Sequence, residues 1–176
     1  MQFKRQLTVL ALAMAAGSSF AQLVVGVSYD TFQEPRWQID EAAIKTELAK
    51  SGAKYIMSDA GASAEKQLAD IDGLIAKGAK VLIILGKDKD AILPAVNKAA
   101  QQKIPVIAYD RLFEAPGVTY ITFDNKEVGR MTARAILAVK PKGNYAIIKG
   151  DPGDNNAGFL REGQGEVLAD ASRRAT

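Results

Sequence analysis

From Leu23 onward the chain alternates short β-rich apolar runs with longer amphipathic stretches. The strand candidates are residues 23–28, 54–58, 81–85, 104–109, 118–123 and 144–149. Several are almost unbroken, as in Val81-Leu82-Ile83-Ile84-Leu85, which suits parallel strands buried on both faces. The stretches between them repeat with a helical period. Ile44 and Leu48 lie one turn apart, with Gly52 as a stop. Leu68, Ile71 and Ile75 form a second stripe, with Ser63 as N-cap candidate and Gly78 as stop. Ile92, Val96 and Ala99 or Ala100 form a third, after Asp90 as N-cap. Asp124 and Glu127 have capping-box spacing ahead of Val128, Met131 and Ala135, and Pro141 ends that helix. Repeated βα units predict an α/β fold: an open parallel sheet flanked by helices, flavodoxin-like or Rossmann-like, with right-handed crossovers. The pattern does not give the strand order.

Such sheets bind ligands at the carboxyl ends of their strands, so the loops after the strands are where chemistry is expected. The first runs Tyr29-Asp30-Thr31-Phe32-Gln33-Glu34-Pro35-Arg36-Trp37. Pro35 fits a helix start, which puts Arg36 and Trp37 in the first turn, facing the crevice. Asp110 and Arg111 follow the fourth strand, Asp124 and Asn125 the fifth, and Asp154, Asn155 and Asn156 the sixth. A carboxylate, a guanidinium and a carboxamide together suit hydroxyl groups that both donate and accept. An indole face covers the C–H face of a sugar ring. Each residue also has a plainer reading. Trp37 could be helix-to-sheet core, Asp110 and Arg111 a surface pair, and the 154–156 run a turn with its N-cap.

Composition narrows the classes. Over 176 residues, apolar types make up 48% and charged types 24%, as in a globular protein. Lys and Arg number 23 against 20 for Asp and Glu. Setting aside Lys4 and Arg5 of the leader leaves an excess of one, so neither nucleic acid nor an anionic membrane is expected as a partner. With no Cys and no His, the usual ligands of zinc, copper and iron–sulfur centres are missing, and no metal or cofactor is expected. Residues 1–21 read as a secretory signal peptide. Lys4 and Arg5 begin it, residues 7–16 form its apolar stretch, and Ser19 and Ala21 supply the small residues before cleavage. That apolar stretch is shorter than the roughly 20 residues a spanning helix needs. Export to the periplasm is therefore expected.

The run from Pro105 to Arg111, the Phe123-Asp124-Asn125 with Val128-Gly129, and Gly150 to Ala157 resemble periplasmic sugar-binding proteins of the ribose and xylose type. Arg36-Trp37-Gln38 and the paired Asn155 and Asn156 resemble the xylose-binding branch most. The similarity covers about residues 23–164. It implies a type I binding-protein lobe over residues 22–124, a hinge at Asp124 and Asn125, and the start of a second lobe over 125–176. It also implies ligand contacts from Arg36, Trp37 as a stacking wall, Asp110, Arg111, Asp154 and Asn156. The implied ligand is an aldopentose such as D-xylose, or another monosaccharide such as ribose or galactose. The implied partner is an ABC transporter permease, the expected state is a monomer, and no reaction is catalysed. The second lobe stops at Thr176 and the tail from Gly165 matches poorly, which implies a C-terminally truncated chain, whether functional or not. An enzyme is disfavoured by the lack of G-x-S-x-G, P-loop and G-x-G-x-x-G motifs. A DNA-binding regulator is disfavoured by the leader standing where a helix-turn-helix would be.

Overall fold

A computed structural model describes residues 22–174, with side chains described through residue 171. The proposed signal peptide lies outside the described residues. Five strands form one sheet: β1 (Val24–Tyr29), β2 (Lys54–Asp59), β3 (Val81–Ile84), β4 (Val106–Tyr109) and β5 (Thr119–Ile121). Their order is β2-β1-β3-β4-β5, and every pair is parallel. The helices are α1 (Pro35–Lys50), α2 (Ala64–Ala76), α3 (Leu93–Gln101), α4 (Asn125–Val139) and α5 (Asn155–Arg174).

The sheet separates two apolar clusters. On one side Ile71 and Leu74 of α2 and Val96 and Ala99 of α3 pack with Leu82, Ile84 and Val106. On the other, Trp37, Ile44 and Leu48 of α1 lie against Val25, Val27 and Tyr29. Burying a Leu or Ile here contributes about 1.5–3 kcal/mol. Ser63 caps α2 by accepting from the Lys66 amide at 3.1 Å, as expected from the sequence. Pro35 occupies the first turn of α1, as its fixed φ favours.

Three expectations are corrected. Asp90 does not cap α3. Asp88 instead accepts from the Asp90 and Ala91 amides at 2.9 and 2.8 Å, closing the turn that leads into the helix. Asp124 does cap α4, accepting from the Glu127 amide at 2.9 Å. The box is only half formed, because the Glu127 carboxylate turns to Arg130 and Arg134. Residues 144–149 form no strand. A strand needs a neighbour to bond its backbone, and none of the described strands adjoins this segment; its Ile148 is almost wholly exposed.

Helices α4 and α5 pack against each other rather than on the sheet. The contact side of α4 is Gly129 and Ala133, while Val128 and Met131 of the apolar stripe are exposed. A Cβ at Gly129 would stand 2.2 Å from the Leu160 carbonyl oxygen, and one at Gly163 would stand 2.0 Å from that of Lys126. Hydrogen alone fits at either crossing point. Around them Lys126 and Arg130 pair with Glu166 at 2.7 and 2.8 Å. Among the described residues no helix is long and apolar enough to cross a membrane.

Candidate functional site

Sheet register decides which loops meet. Ser28 of β1 pairs with Ile84 of β3, and Ile84 pairs with Ala108 of β4. Two residues beyond that row stand Asp30, Gly86 and Asp110, side by side at the carboxyl edge. Asp110 has φ 62°, and the Arg111 amide donates to the Tyr109 carbonyl at 2.7 Å, a three-residue turn. Left-handed backbone is unusual for a residue with a Cβ, and Asp and Asn tolerate it best. The turn is held from outside by its own Asp110 carbonyl, which accepts from Tyr120 Oη at 3.2 Å and Asn156 Nδ2 at 3.0 Å.

Ion pairs converge on this turn. Arg36 Nη2 donates to Asp110 Oδ1 at 2.7 Å, and Arg36 Nε lies 3.5 Å from Asp40 Oδ2. Arg111 Nη1 donates to Asp30 Oδ2 at 2.5 Å, and Arg111 Nε lies 3.3 Å from Asp154 Oδ2. Four carboxylates thus surround two guanidinium groups, leaving an excess of acceptors for hydroxyl donors. Burial pushes the Asp30 carboxyl upward, against the pull of Arg111.

The six side chains singled out from the sequence are gathered within this one region, but their surroundings differ. Trp37 does not face an open crevice. It is 4% exposed, packs into the core beside β1, and donates from Nε1 to Glu34 Oε2 at 2.6 Å. The Arg36 guanidinium covers its ring at 4.5 Å and lies 5.7 Å from the Phe123 ring. Phe123 is 65% exposed, so the open aromatic surface here belongs to it. Asn156 is buried, and its amide is used within the protein: beside the bond to Asp110, its Oδ1 accepts from Asn125 Nδ2 at 3.0 Å and Tyr120 Oη at 3.3 Å. Asn155 donates to the Leu112 carbonyl at 3.0 Å. The start of α5 is therefore clipped to the turn after β4, and Asn125 belongs to the same network. Asp30, Asp40, Tyr120 and Phe123 also belong to this cluster. For Asp30 the sequence carries a signal: it sits in the same loop as Arg36, one residue past a buried strand.

Two tyrosines mark the packed floor below. Burial pushes the Tyr29 phenol up to about 12. Burial, and then the 2.7 Å bond it donates to Asp40, push Tyr109 up to about 12 as well. The folded state therefore holds these protons more tightly than the unfolded chain, whose tyrosines titrate near 10. Their stabilising contribution is complete below about pH 10 and is lost as pH rises from 10 toward 12. Phenolate absorbance should lag accordingly for these two, and the melting temperature should fall across that window. Simple titration of every tyrosine near 10 would contradict the burial described.

A parallel sheet with a charged and aromatic cluster at its carboxyl edge defines the class: an α/β lobe of the kind whose ligands bind at that edge. A family model described as a periplasmic binding protein domain matches residues 25–174, and the chain belongs to that family. It is 36% identical over 172 residues to the D-xylose-binding periplasmic protein of Haemophilus influenzae, covering 96% of this chain and 52% of that protein. It is 34% identical over 148 residues to the D-xylose-binding periplasmic protein of Escherichia coli K12, covering 84% and 45%. Among solved structures, an ABC transporter solute-binding protein from Clostridium phytofermentans with bound β-D-glucose superposes with a TM-score of 0.79 at 32% identity, over 86% of this chain and 49% of that one. The chain spans about half the length of the curated relatives it matches.

Proposed function

We propose that this chain is the sugar-recognising part of a periplasmic substrate-binding component of an ABC transporter, that its ligand is an aldopentose, and that D-xylose is the preferred one. The observation that carries this reading is the set of ion pairs joining Arg36 to Asp110 and Arg111 to Asp30 and Asp154 at the carboxyl edge of β1 and β4. Fixed charges of both signs meet a neutral polyol well, since each hydroxyl can give one hydrogen bond and accept another. Phe123 adds an aromatic face beside Arg36. Xylose is favoured over other sugars because two of the relatives are named for it.

In this reading residues 22–124 are the first lobe, and Asp124 and Asn125 stand at the crossing to a second lobe that begins at residue 125. Arg36, Asp110 and Arg111 grip the sugar from the first lobe. Asp154 and Asn156 border it from the second, with Asn156 acting mainly on the Asp110 turn. The leader of residues 1–21 exports the protein to the periplasm, where it works as a monomer and delivers sugar to a membrane permease. Binding is the whole task, with no bond made or broken. Calorimetric titration of the folded chain with xylose, ribose, arabinose, glucose and galactose tests this. Saturable heat is expected, strongest with xylose. Cooperatively folded protein that gives no heat with any of the five would overturn the reading.

A further inference from the structure

Arg111 is held by two carboxylates that are not equivalent. Asp154 lies in the turn before α5, its side chain is 20% exposed, and it approaches Nε at 3.3 Å. Asp30 immediately follows β1, in the same sheet as the Arg111 turn; its side chain is 3% exposed and it meets Nη1 at 2.5 Å. The Gly86 carbonyl lies on the same nitrogen at 3.5 Å. Neither carboxylate occupies Nη2.

We propose that Asp30 is a positioning residue for the sugar site, fixing the Arg111 guanidinium in one orientation before any ligand arrives. The proposal rests on the function proposed above and gives Asp30 a role of its own, distinct from gripping the sugar. Asp30 directly follows β1, whose backbone is hydrogen-bonded to β2 and β3, so its place is set by the fold and not by the ligand. An arginine side chain left unpaired samples many rotamers, and the entropy of freezing it counts against ligand binding. Pairing with an immobile buried carboxylate removes that cost in advance, because the planar guanidinium is oriented by each bond it makes. The pairing also compensates Asp30. Its Oδ1 is buried without a hydrogen-bond partner, so Arg111 is the main group that makes a carboxylate tolerable there. Asp154, by contrast, accompanies α5, and its hold on Arg111 depends on how that helix sits.

Asp30→Asn keeps the shape and removes the charge. In xylose calorimetry it should weaken binding about tenfold or more, the worth of one charge-assisted hydrogen bond. In an Arg111→Gln background, where there is no cation to orient, the same substitution should change affinity less than about twofold, a coupling that a purely structural defect would not show. Wild-type protein that binds xylose while Asp30→Asn binds equally well overturns the positioning role and leaves the proposed function standing. Wild-type protein that binds none of the sugars overturns both. Should Asp30→Asn fail to fold, side-chain spectra of nitrogen-labelled arginine in the ligand-free wild type decide. Slowed rotation and a resolved Nη1 signal for Arg111 support the proposal, and a freely averaged guanidinium overturns it.

Discussion

Gly163→Ala is expected to undock α5 from α4, lowering stability by about 3 kcal/mol, the upper range for forcing atoms into a packed interface. The added Cβ would sit 2.0 Å from the Lys126 carbonyl oxygen, with the Arg130 amide nitrogen at 2.9 Å. Both obstacles are backbone, so no side chain can swing aside. Relief requires the helices to separate, which also parts Lys126 and Arg130 from Glu166. Those ion pairs are partly exposed and cannot compensate. Gly129→Ala meets the Leu160 carbonyl oxygen at 2.2 Å from the other side and should act alike. Gly73→Ala is the control: it lies in α2 with nothing within 4 Å of the new methyl. It should stabilise by roughly 0.5–1 kcal/mol, because alanine has less backbone freedom to lose. Thermal melts of the three variants, with hydrogen exchange of α4 and α5, measure this. Equal melting temperatures for Gly163→Ala and wild type would contradict the close crossing.

Asp110→Ala should abolish most of the proposed sugar affinity, by about a hundredfold, the order expected for losing a charge-assisted hydrogen bond at its strong end. Two effects add. The carboxylate that orients Arg36 at 2.7 Å is gone, and alanine must keep the φ of 62° that the turn imposes. Asp110→Asn separates them, since asparagine accepts left-handed backbone and forfeits only the charge. Its affinity should fall between those of wild type and Asp110→Ala. The melting temperature of Asp110→Asn should fall less than that of Asp110→Ala. Identical affinities for all three proteins would remove Asp110 from the site.

The sheet was largely legible in the chain because buried parallel strands leave continuous apolar runs, as at Val81 to Ile84, and because Ser63, Asp124 and Pro35 mark helix starts chemically. Residues 144–149 carry the same apolar signal without forming a strand, since pairing depends on a neighbour that local pattern does not reveal. The stripe of Val128, Met131 and Ala135 predicts the buried side of α4 incorrectly for a related reason. The contact there is backbone to backbone, and small residues such as Gly129 and Ala133 make it. The site was legible as a set of loops, through the rule that ligands meet the carboxyl ends of strands. Its internal wiring was not. Asp30 and Arg111 are 81 positions apart and Arg36 and Asp110 are 74 apart, and only the strand order β1-β3-β4 brings them together. Trp37 was ambiguous in principle: an aromatic in the first turn of a helix can face a cleft or the sheet. The apolar side chains of Val25, Val27 and Tyr29 draw it to the sheet.

A sugar bound at the carboxyl edge of β1 and β4, as proposed, should show in amide chemical shifts mapped with saturating D-xylose. The largest shifts are expected at residues 30–37, 110–112 and 123–125, with smaller ones at 154–156 and none in the α2–α3 face of the sheet. Shifts confined to the α4–α5 groove, or absent throughout a well-folded chain, would contradict it.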